Sequence, residues 1–368
     1  MSNLFGKIGK NLSKIKREVS EVTTKYYRTK YYEKKYADLI EKAHIIIQPN
    51  EPDYGFFAHV VNICGNMKWA IEQGKKPYVD MSAFPNIYIS DEQVGKVNSW
   101  ELYFEQPFGF TSDELEEIME YKKAKRLKSL GKERYLYKLN GKKKVIYLIH
   151  NYQTMKPLRP DDSSDFLDNE VAIRYWRDFV GKLIKPKEEL LANTDALYKE
   201  LFGTNRPEND KVLGVLLRGT DYSDNRPKNH PIPPTVEEAL PRINDVFAKG
   251  NYTRIFLATE DIRILDEMKK VFGDVVFCAP QKRVGYTEGK ILREIFADES
   301  DNNPYLRGFD FITAMLLLSR CDGFMGCRTS GAIMAFLMSK GFEDEFFWNI
   351  GRYRTAEYPD ELILPDTI

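Results

Sequence analysis

The chain has 368 residues, and its 55 basic and 55 acidic side chains balance. This length exceeds what one hydrophobic core usually organises, so two α/β domains are expected. The charge balance excludes a general electrostatic attraction to nucleic acid, and no apolar run has the length of a membrane span or the form of a secretory signal. We therefore expect a cytoplasmic protein without a nucleic-acid partner.

The first 40 residues differ from the rest of the chain and have an amphipathic pattern. Apolar residues recur at alternating steps of three and four, which is typical of one helix face. This stripe consists of Phe5, Ile8, Leu12, Ile15, Val19, Val22 and Tyr26. The opposite face is basic. Three roles stay open for residues 1–26: contact with an anionic membrane surface, pairing with a second chain, or packing on their own domain.

The next part of the chain begins as an α/β unit. Apolar runs predict strands at 44–48, 76–80 and 143–150, and helical patterns cover 58–73 and much of 170–202. A strand, a helix and a second strand in this order are the start of a βαβ unit, which places the two strands in one sheet.

A second alternating series follows the polar stretch 203–210, the expected linker. Its elements are strands at 212–217, 254–258, 275–278 and 323–325 and helices at 236–249, 261–272, 309–319 and 330–340. Strands joined through helices predict a second parallel sheet. The predicted divisions are a helical extension (1–40), a first α/β domain (41–203), a second Rossmann-like domain (204–345) and a tail (346–368).

Ligands of open parallel sheets bind beyond the carboxyl ends of the strands, so the residues after each predicted strand are candidates. The strand at 212–217 is followed by Arg218 in a turn with Gly219. A guanidinium fork donates several charge-assisted hydrogen bonds to a diphosphate and keeps its charge at any relevant pH. The alternative is a structural ion pair between Arg218 and Asp221.

Two further strand ends carry polar groups. Glu260 and Asp261 follow the strand at 254–258, where they cap a helix or accept hydrogen bonds from the N1–H and amino group of guanine. Thr329 and Ser330 open the helix after the strand at 323–325, where they cap it or help its free N–H groups to bind phosphate.

Other nucleotide-site patterns are not found in the sequence. No Lys follows the second glycine of the last motif, so it is not a Walker A loop. No Asp-x-Asp follows a predicted strand, so we expect neither a metal nor another cofactor. The charge of a leaving diphosphate would then be balanced by arginine, hydroxyl groups and a helix terminus.

Several collinear motifs between about residues 50 and 340 resemble the fucosyltransferase superfamily. The second-domain motifs are GVLLRGTD (214–221), HPI (230–232), FLATED (256–261), LRG (306–308) and LLSRCDGFM (317–325). The first-domain motifs are GFFAHVV (55–61) and WELYF (100–104). The resemblance is closest to the α-1,6-fucosyltransferases of the N-glycan core and nodulation-factor type, and more distant to protein O-fucosyltransferases.

This resemblance implies an inverting, metal-independent glycosyltransferase of the GT-B fold, with two Rossmann-like domains facing a cleft. The first domain would take the acceptor, and the second would bind the nucleotide sugar GDP-fucose. The acceptor would be a glycan, and a lipid-linked acceptor would suit bacterial surface-polysaccharide synthesis. A basic amphipathic extension would then place the enzyme peripherally at the inner face of the membrane.

The resemblance also implies roles for particular residues. Arg218 would contact the donor β-phosphate, Ser330 and Thr329 the diphosphate, and Glu260 the guanine. The remaining donor-site candidates are Gly219, Asp261, Gly55, Phe56 and His59. The catalytic base of the core enzyme lies between its Thr-Asp and His-Pro-Ile elements, which makes Asp224 the first candidate and Asp221 the second.

Two departures from the family pattern leave the donor open. The paired arginines of the family are Arg218 and Gly219 here, and the histidine two residues before the arginine is Leu216. A GT-B enzyme with another nucleotide-sugar donor is therefore one alternative. A catalytically silent GT-B protein that binds nucleotide or glycan is the other.

Overall fold

The computed structural model describes residues 2–131, 133–150, 166–227, 230–285, 303–353 and 362–363. Two compact units divide the chain. The first comprises residues 1–48, 67–78 and 108–150, and the second comprises 49–66, 79–107 and 151–368. The division is not linear along the chain, and the helices at Glu170–Leu183 and Glu188–Phe202 belong to the second unit although they precede residue 204. The linear boundaries at 40, 203 and 345 stay predictions.

The N-terminal extension is helical in the first unit. Helix α1 covers Ser2–Lys35, and the short helix α2 covers Ala37–Glu41. None of the helices in the described ranges is long and apolar enough to cross a membrane. The structure thus places a helix over the predicted extension, while the function of its apolar stripe stays a prediction.

The first unit contains a five-stranded sheet of order β2-β1-β5-β4-β3. Its strands are β1 His44–Ile47, β2 Pro77–Val79, β3 Lys125–Ser129, β4 Arg134–Leu139 and β5 Lys142–Ile149. Strands β1 and β5 are parallel, but β4 is antiparallel to both β3 and β5. This sheet is therefore mixed, and only part of it fits the Rossmann-like arrangement predicted for the first domain.

Both faces of the first sheet are covered. On one face, Ile118 and Tyr121 of helix α5 (Ser112–Lys123) pack with Ile46 and Ile146 of the sheet. On the other face, four side chains from α1, α2 and the residue between them pack on the sheet and its flanking residues: Tyr32, Tyr36, Leu39 and Ile40 lie against Ala43, Leu130, Leu136 and Val145. Helix α5 begins where a capping box predicts, because Thr111 and Glu114 each accept a hydrogen bond from the other's backbone N–H.

The second unit contains a five-stranded sheet of order β10-β9-β6-β7-β8, in which every pair is parallel. Its strands are β6 Val212–Leu216, β7 Arg254–Ala258, β8 Val276–Phe277, β9 Gly323–Cys327 and β10 Asp344–Trp348. The predicted α/β class and the second parallel sheet are confirmed. Edge strand β10 was not predicted, because it begins with two exposed acidic residues.

The remaining helices are α3 Phe56–Glu72, α4 Trp100–Tyr103, α6 Glu170–Leu183, α7 Glu188–Phe202, α8 Thr220–Asn225, α9 Val236–Lys249, α10 Ile262–Phe272, α11 Pro304–Leu318 and α12 Ser330–Met338. Short 3-10 turns cover Asp91–Gln93, Phe166–Asp168 and Gly273–Val275. Residues Arg352–Tyr353 (β11) pair antiparallel with Leu362–Ile363 (β12).

Helices cover both faces of the second sheet. Helices α9 and α10 pack on the face formed by Leu213, Val215, Ile255 and Leu257. On the opposite face, the ring of Phe202 from α7 lies 5.5 Å from that of Phe256. Helix α11 also approaches this second face closely, because a Cβ added to Gly214 would lie 2.7 Å from Leu318 Cδ1. Every strand of this sheet therefore ends at an edge flanked by helices, where parallel sheets bind ligands.

Candidate functional site

Three strand ends of the second sheet lie side by side. Leu216 at the end of β6 is in register with Ala258 of β7 and with Gly326 of β9. All three strands are parallel, so the segments that follow them emerge at the same edge. The three polar motifs predicted from the sequence are thus brought together by the strand register.

Arg218 is held at this edge by Glu260. Arg218 Nη1 lies 3.3 Å from Glu260 Oε2, and both side chains are mostly buried. The guanidinium carbon also lies 4.7 Å from the ring centroid of Tyr222. Arg218 therefore forms an ion pair with Glu260. The side chain of Asp221, the predicted alternative partner, lies outside the described part of the structure.

The charge of Arg218 reaches the end of the neighbouring strand. Burial raises the pKa of the Cys327 thiol to about 11, and the positive charge of Arg218 acts in the opposite direction. Cys327 is the last residue of β9. Arg218 follows β6, the strand that lies between β9 and β7 in the sheet.

Glu260 and Asp261 also hold the turn that follows Arg218. The backbone N–H of Gly219 donates to Glu260 Oε1 over 3.0 Å, and that of Thr220 donates to Asp261 Oδ2 over 2.9 Å. Thr220 Oγ1 donates to Glu260 Oε1 over 3.0 Å. A Cβ on Gly219 would lie 2.3 Å from Asp261 Oδ2, so only glycine fits here. Helix α8 begins directly after this turn.

Asp261 forms the N-cap of α10 and is 1% exposed. Its carboxylate accepts hydrogen bonds from the backbone N–H of Arg263 over 2.8 Å and from Arg263 Nε over 2.9 Å. Burial raises the pKa of Asp261, but the Arg263 side chain and the N–H groups of Thr220 and Arg263 bring it below the ordinary value. Asp261 therefore stabilises the turn and the start of α10 from a buried position. A direct contact between Asp261 and a donor stays a prediction.

Asp224, the first candidate base, belongs to the same charged cluster. Its Oδ1 lies 3.6 Å from Arg263 Nη2, and its side chain is 10% exposed. Arg263 connects Asp224 with Asp261, although sequence reasoning did not select it. The sequence feature that could have identified Arg263 is its position two residues after the N-cap of α10. From that position an arginine side chain can reach the carboxylate of the N-cap residue.

The start of α12 supplies helix-terminal N–H groups to the edge. Thr329 is the N-cap and accepts a hydrogen bond from the N–H of Ala332 over 3.4 Å. Ser330 is the first helical residue and is partly exposed. The first N–H groups of a helix have no partner within it, so those of Ser330 and Gly331 can bind an anion.

Arg328 is a second arginine at the edge that sequence reasoning missed. It lies between β9 and the N-cap Thr329, and its two terminal nitrogens donate to both carboxylate oxygens of Asp168, one over 2.9 Å. Its position after β9 parallels that of Arg218 after β6, which was the available signal. The sequence prediction selected Thr329 and Ser330 instead, because their hydroxyl groups are typical of phosphate sites at the start of a helix.

An aromatic cluster in the second unit contains Phe56, Tyr88 and Tyr103. Burial raises the pKa of the Tyr88 hydroxyl, whereas the backbone of Phe56 and the charges of Arg307 and Arg218 act in the opposite direction. Arg307, from the LRG motif, donates to the Ile87 carbonyl over 3.1 Å. The residues predicted from separate motifs thus act on one buried hydroxyl.

Phe56, Gly55 and His59 form the start of α3. The Phe56 ring is fully buried, 5.0 Å from the ring of Tyr88, so only its backbone is available to a donor. A Cβ added to Gly55 would have no atom within 4 Å. His59 is 1% exposed, and neither of its ring nitrogens has a hydrogen-bond partner among the described residues. Burial lowers the pKa of His59 to about 4, so the ring is neutral at physiological pH.

Asp310 on α11 is a further carboxylate that sequence reasoning missed. It is partly buried, and burial raises its pKa above the ordinary value. Its charge acts on the hydroxyl of Tyr103, as does that of Arg307 one helical turn earlier. The sequence prediction examined residues that follow strands, and Asp310 lies instead within helix α11.

The part of the chain that the structure describes contains no group of three or more His, Cys, Asp or Glu residues arranged to hold a metal ion. The charges at the edge of the second sheet come from arginines and carboxylates that pair with each other. Such a site can bind a diphosphate through guanidinium and backbone N–H donors.

Comparison with known proteins gives one sequence relative and several structural likenesses. No family profile matches the chain. Nodulation protein Z of Bradyrhizobium diazoefficiens is 28% identical over 149 residues, which are 39% of this chain and 36% of that protein. The match confirms the resemblance to the fucosyltransferase superfamily predicted from the motifs. It spans about a third of the relative's length, so activity, donor and acceptor are proposals for this chain.

The solved structures similar to this chain include the fucosyltransferase NodZ from Bradyrhizobium, with a TM-score of 0.46 at 16% identity. That match covers 81% of this chain and 93% of NodZ. The apo form of POFUT1 has a TM-score of 0.47 at 11% identity. That match covers 83% of this chain and 97% of the POFUT1 chain.

Proposed function

We propose that the protein is an inverting glycosyltransferase that transfers fucose from GDP-fucose to a glycan hydroxyl and needs no resident metal. The observation that supports this most is the pairing of Arg218 and Glu260 at the shared edge of β6, β7 and β9, beside the start of α12. The sequence match to nodulation protein Z supports the family resemblance from which the donor class is inferred.

In this proposal, Arg218 binds the diphosphate of the donor. Glu260 and Tyr222 hold its guanidinium group on two sides, so the arginine is oriented before a ligand arrives. Its charge-assisted hydrogen bonds strengthen as the leaving diphosphate gains charge, which lowers the barrier to transfer. The N–H groups at the start of α12, with Ser330 and Thr329, contribute to the same anion.

Glu260 then acts as a positioning residue for Arg218 and for the Gly219–Thr220 turn. Its Oε1 accepts two hydrogen bonds from the turn, and its Oε2 faces Arg218. The predicted contact with guanine would require Glu260 to exchange some of these partners. Replacement of Glu260 by Gln separates the two roles, because loss of base selectivity favours the guanine contact and loss of turnover alone favours positioning.

The transfer proceeds as a single displacement. The acceptor oxygen bonds to the anomeric carbon, the bond from that carbon to the β-phosphate oxygen breaks, and GDP leaves with the bonding electrons. The acceptor proton passes to a carboxylate, with Asp224 the first candidate and Asp221 the second. Asp224 Oδ1 lies 3.6 Å from Arg263 Nη2, which holds this carboxylate in the charged cluster beside the turn after Arg218.

The acceptor and the cellular setting are further parts of the proposal. The family implies a glycan acceptor, and a lipid-linked glycan would connect a cytoplasmic enzyme with surface-polysaccharide assembly. An enzyme that acts on a lipid-linked acceptor has to reach the inner face of the membrane. The basic helix α1 is one segment that can bind this surface.

A thermal-shift panel with GDP, UDP, ADP and CMP, each with and without EDTA, tests the donor class. A ligand that binds only the folded protein raises its melting temperature. We expect a rise with GDP that EDTA does not change. A rise selective for UDP would replace the donor, a rise lost with EDTA would contradict metal independence, and GDP binding without donor hydrolysis or transfer would favour a catalytically silent protein.

A further inference from the structure

Near its carboxyl end, helix α1 is attached to the first sheet. Glu33 Oε1 lies 3.0 Å from Arg134 Nη2, and the hydroxyl of Tyr32 accepts a hydrogen bond from Lys128 Nζ over 3.2 Å. The ring of Tyr32 also lies 4.3 Å from Lys128 Nζ. These contacts fix the last turns of α1 on strands β3 and β4.

The preceding part of α1 leaves large apolar side chains exposed. Val19 is 59% exposed, Val22 68% and Tyr26 58%, and these residues are spaced by three and four along the helix. The contacts of the described side chains of residues 14–28 stay within α1: Thr23 Oγ1 donates to the Val19 carbonyl over 2.7 Å, and Lys14 Nζ lies 4.0 Å from Glu18 Oε1. The spacing places the three side chains on one face, and that face is available to a partner.

The charge of α1 is strongly positive in a chain with no net charge. Helix α1 contains ten Lys or Arg residues and three Glu residues, whereas the whole chain has 55 of each sign. Most of the basic positions lie opposite the apolar stripe on a helical projection. This combination of a narrow apolar face with a basic face is typical of helices that lie in the interface of an anionic bilayer.

We propose that helix α1 lies in the plane of an anionic lipid bilayer, with Val19, Val22 and Tyr26 directed into the headgroup region. Its apolar stripe is too narrow for strong binding alone, so the attraction of Lys and Arg to anionic headgroups supplies the rest. A second copy of α1 is the less suitable occupant, because parallel pairing would bring two strongly cationic helices together.

Sedimentation of the full-length protein with lipid vesicles tests this proposal. The vesicles contain phosphatidylcholine alone or equal parts of phosphatidylcholine and phosphatidylglycerol. We expect binding only to the anionic vesicles, with a marked loss at high salt. Binding that is equal on both vesicles, or absent from both, would overturn the proposal.

Two variants locate the binding surface. The first variant replaces the apolar face with glutamine, which is a good helix former, at Val19, Val22 and Tyr26. We expect vesicle binding by this variant to fall about tenfold or more. Lys14→Gln with Lys16→Gln removes two charges, and we expect a loss of about 30-fold. Lys142→Gln with Lys143→Gln changes two exposed lysines on β5 and is the matched control, expected to bind normally.

The remaining outcomes are also decisive. Helix content measured by circular dichroism must stay constant among the variants, and the GDP-induced thermal shift must stay normal, which separates this proposal from the donor site. If the apolar variant binds vesicles as well as the original protein, the proposal fails. If the original protein is a dimer by light scattering and the apolar variant a monomer, α1 binds a second copy and the membrane proposal fails.

Discussion

The two sheets differ in the polar groups that follow the carboxyl ends of their strands. At the first sheet, a hydrogen-bonded pair follows β1 and β5: His150 Nδ1 lies 2.8 Å from the carbonyl oxygen of Gln48, whose N–H donates to the carbonyl of Ile149. At the second sheet, Arg218 and Glu260 form a mostly buried charge pair directly beyond the strands. Buried charges are costly unless they are paired, and their concentration at one edge is the contrast on which the proposed donor site rests.

The largest effect that tests this contrast is expected from Arg218→Ala. The variant loses the guanidinium group that meets charge on the leaving diphosphate, so we expect a cost of about 3 kcal/mol, roughly a hundredfold in turnover. The measurement is kcat for fucose transfer or, without an acceptor, for GDP-fucose hydrolysis. His150→Gln at the first sheet is the matched control, and an equal loss in that variant would break the contrast.

The next largest effect is expected from Gly219→Ala. The new Cβ would overlap Asp261, which cannot move because Arg263 and Thr220 hold its carboxylate. We expect a loss of about 2–3 kcal/mol in the free energy of unfolding. Gly181→Ala in α6 has no atom within 4 Å of its new Cβ and should be stabilising by about 0.5–1 kcal/mol.

Chemical denaturation measures both glycine variants. Equal stability of the Gly219→Ala protein and the original would show that the turn between Arg218 and α8 is not held by Asp261. If the Gly219→Ala protein has a normal free energy of unfolding but does not bind GDP, Gly219 serves donor binding and not the stability of the fold.

The pH dependence of stability tests the environment of His59. Burial lowers its pKa to about 4, so below the ordinary value near 6.5 the unfolded chain takes up a proton that the folded protein does not. Stability conferred by the neutral ring is therefore present at pH 7 and falls as the pH drops, by on the order of 2 kcal/mol at pH 5.

Urea denaturation at pH 7 and pH 5 measures this effect. His59→Gln should remove this part of the pH dependence, because glutamine does not titrate. The same pH dependence in both proteins would contradict a buried neutral histidine. A donor that contacts His59 should also protect the original protein more than the variant.

The smallest effect is expected from Glu260→Gln. The glutamine oxygen can still accept a hydrogen bond from the Gly219 N–H, but the charge that orients Arg218 is lost, so we expect turnover to fall about tenfold. Steady-state kinetics with GDP-fucose measures kcat, and thermal shifts with GDP and ADP measure base selectivity. Unchanged kcat with lost selectivity would replace the positioning role with guanine recognition.

The sequence predicts the second sheet well because its strands are short apolar runs that alternate with amphipathic helices. Strand β7 and helix α9 have the predicted bounds. The antiparallel half of the first sheet was missed because β3 is largely exposed and rich in lysine and arginine. Its stability comes from pairing with β4, and a pairing partner distant in sequence leaves no local pattern.

The candidate site was predicted in its position but not in its internal connections. Strand ends identified Arg218 and Glu260, while their ion pair depends on the parallel register of β6 and β7. The same applies to Arg328, whose partner Asp168 is 160 residues away in sequence. Contacts of this kind arise from tertiary packing, which single-sequence patterns do not contain.

The most direct measurement is a crystal structure of the protein with bound GDP. The proposed function predicts the diphosphate at the second sheet, within hydrogen-bonding distance of Arg218 Nη1 or Nη2 and of the N–H groups at the start of α12. GDP bound elsewhere, with Arg218 still engaged only by Glu260, would contradict the assignment of this edge as the donor site.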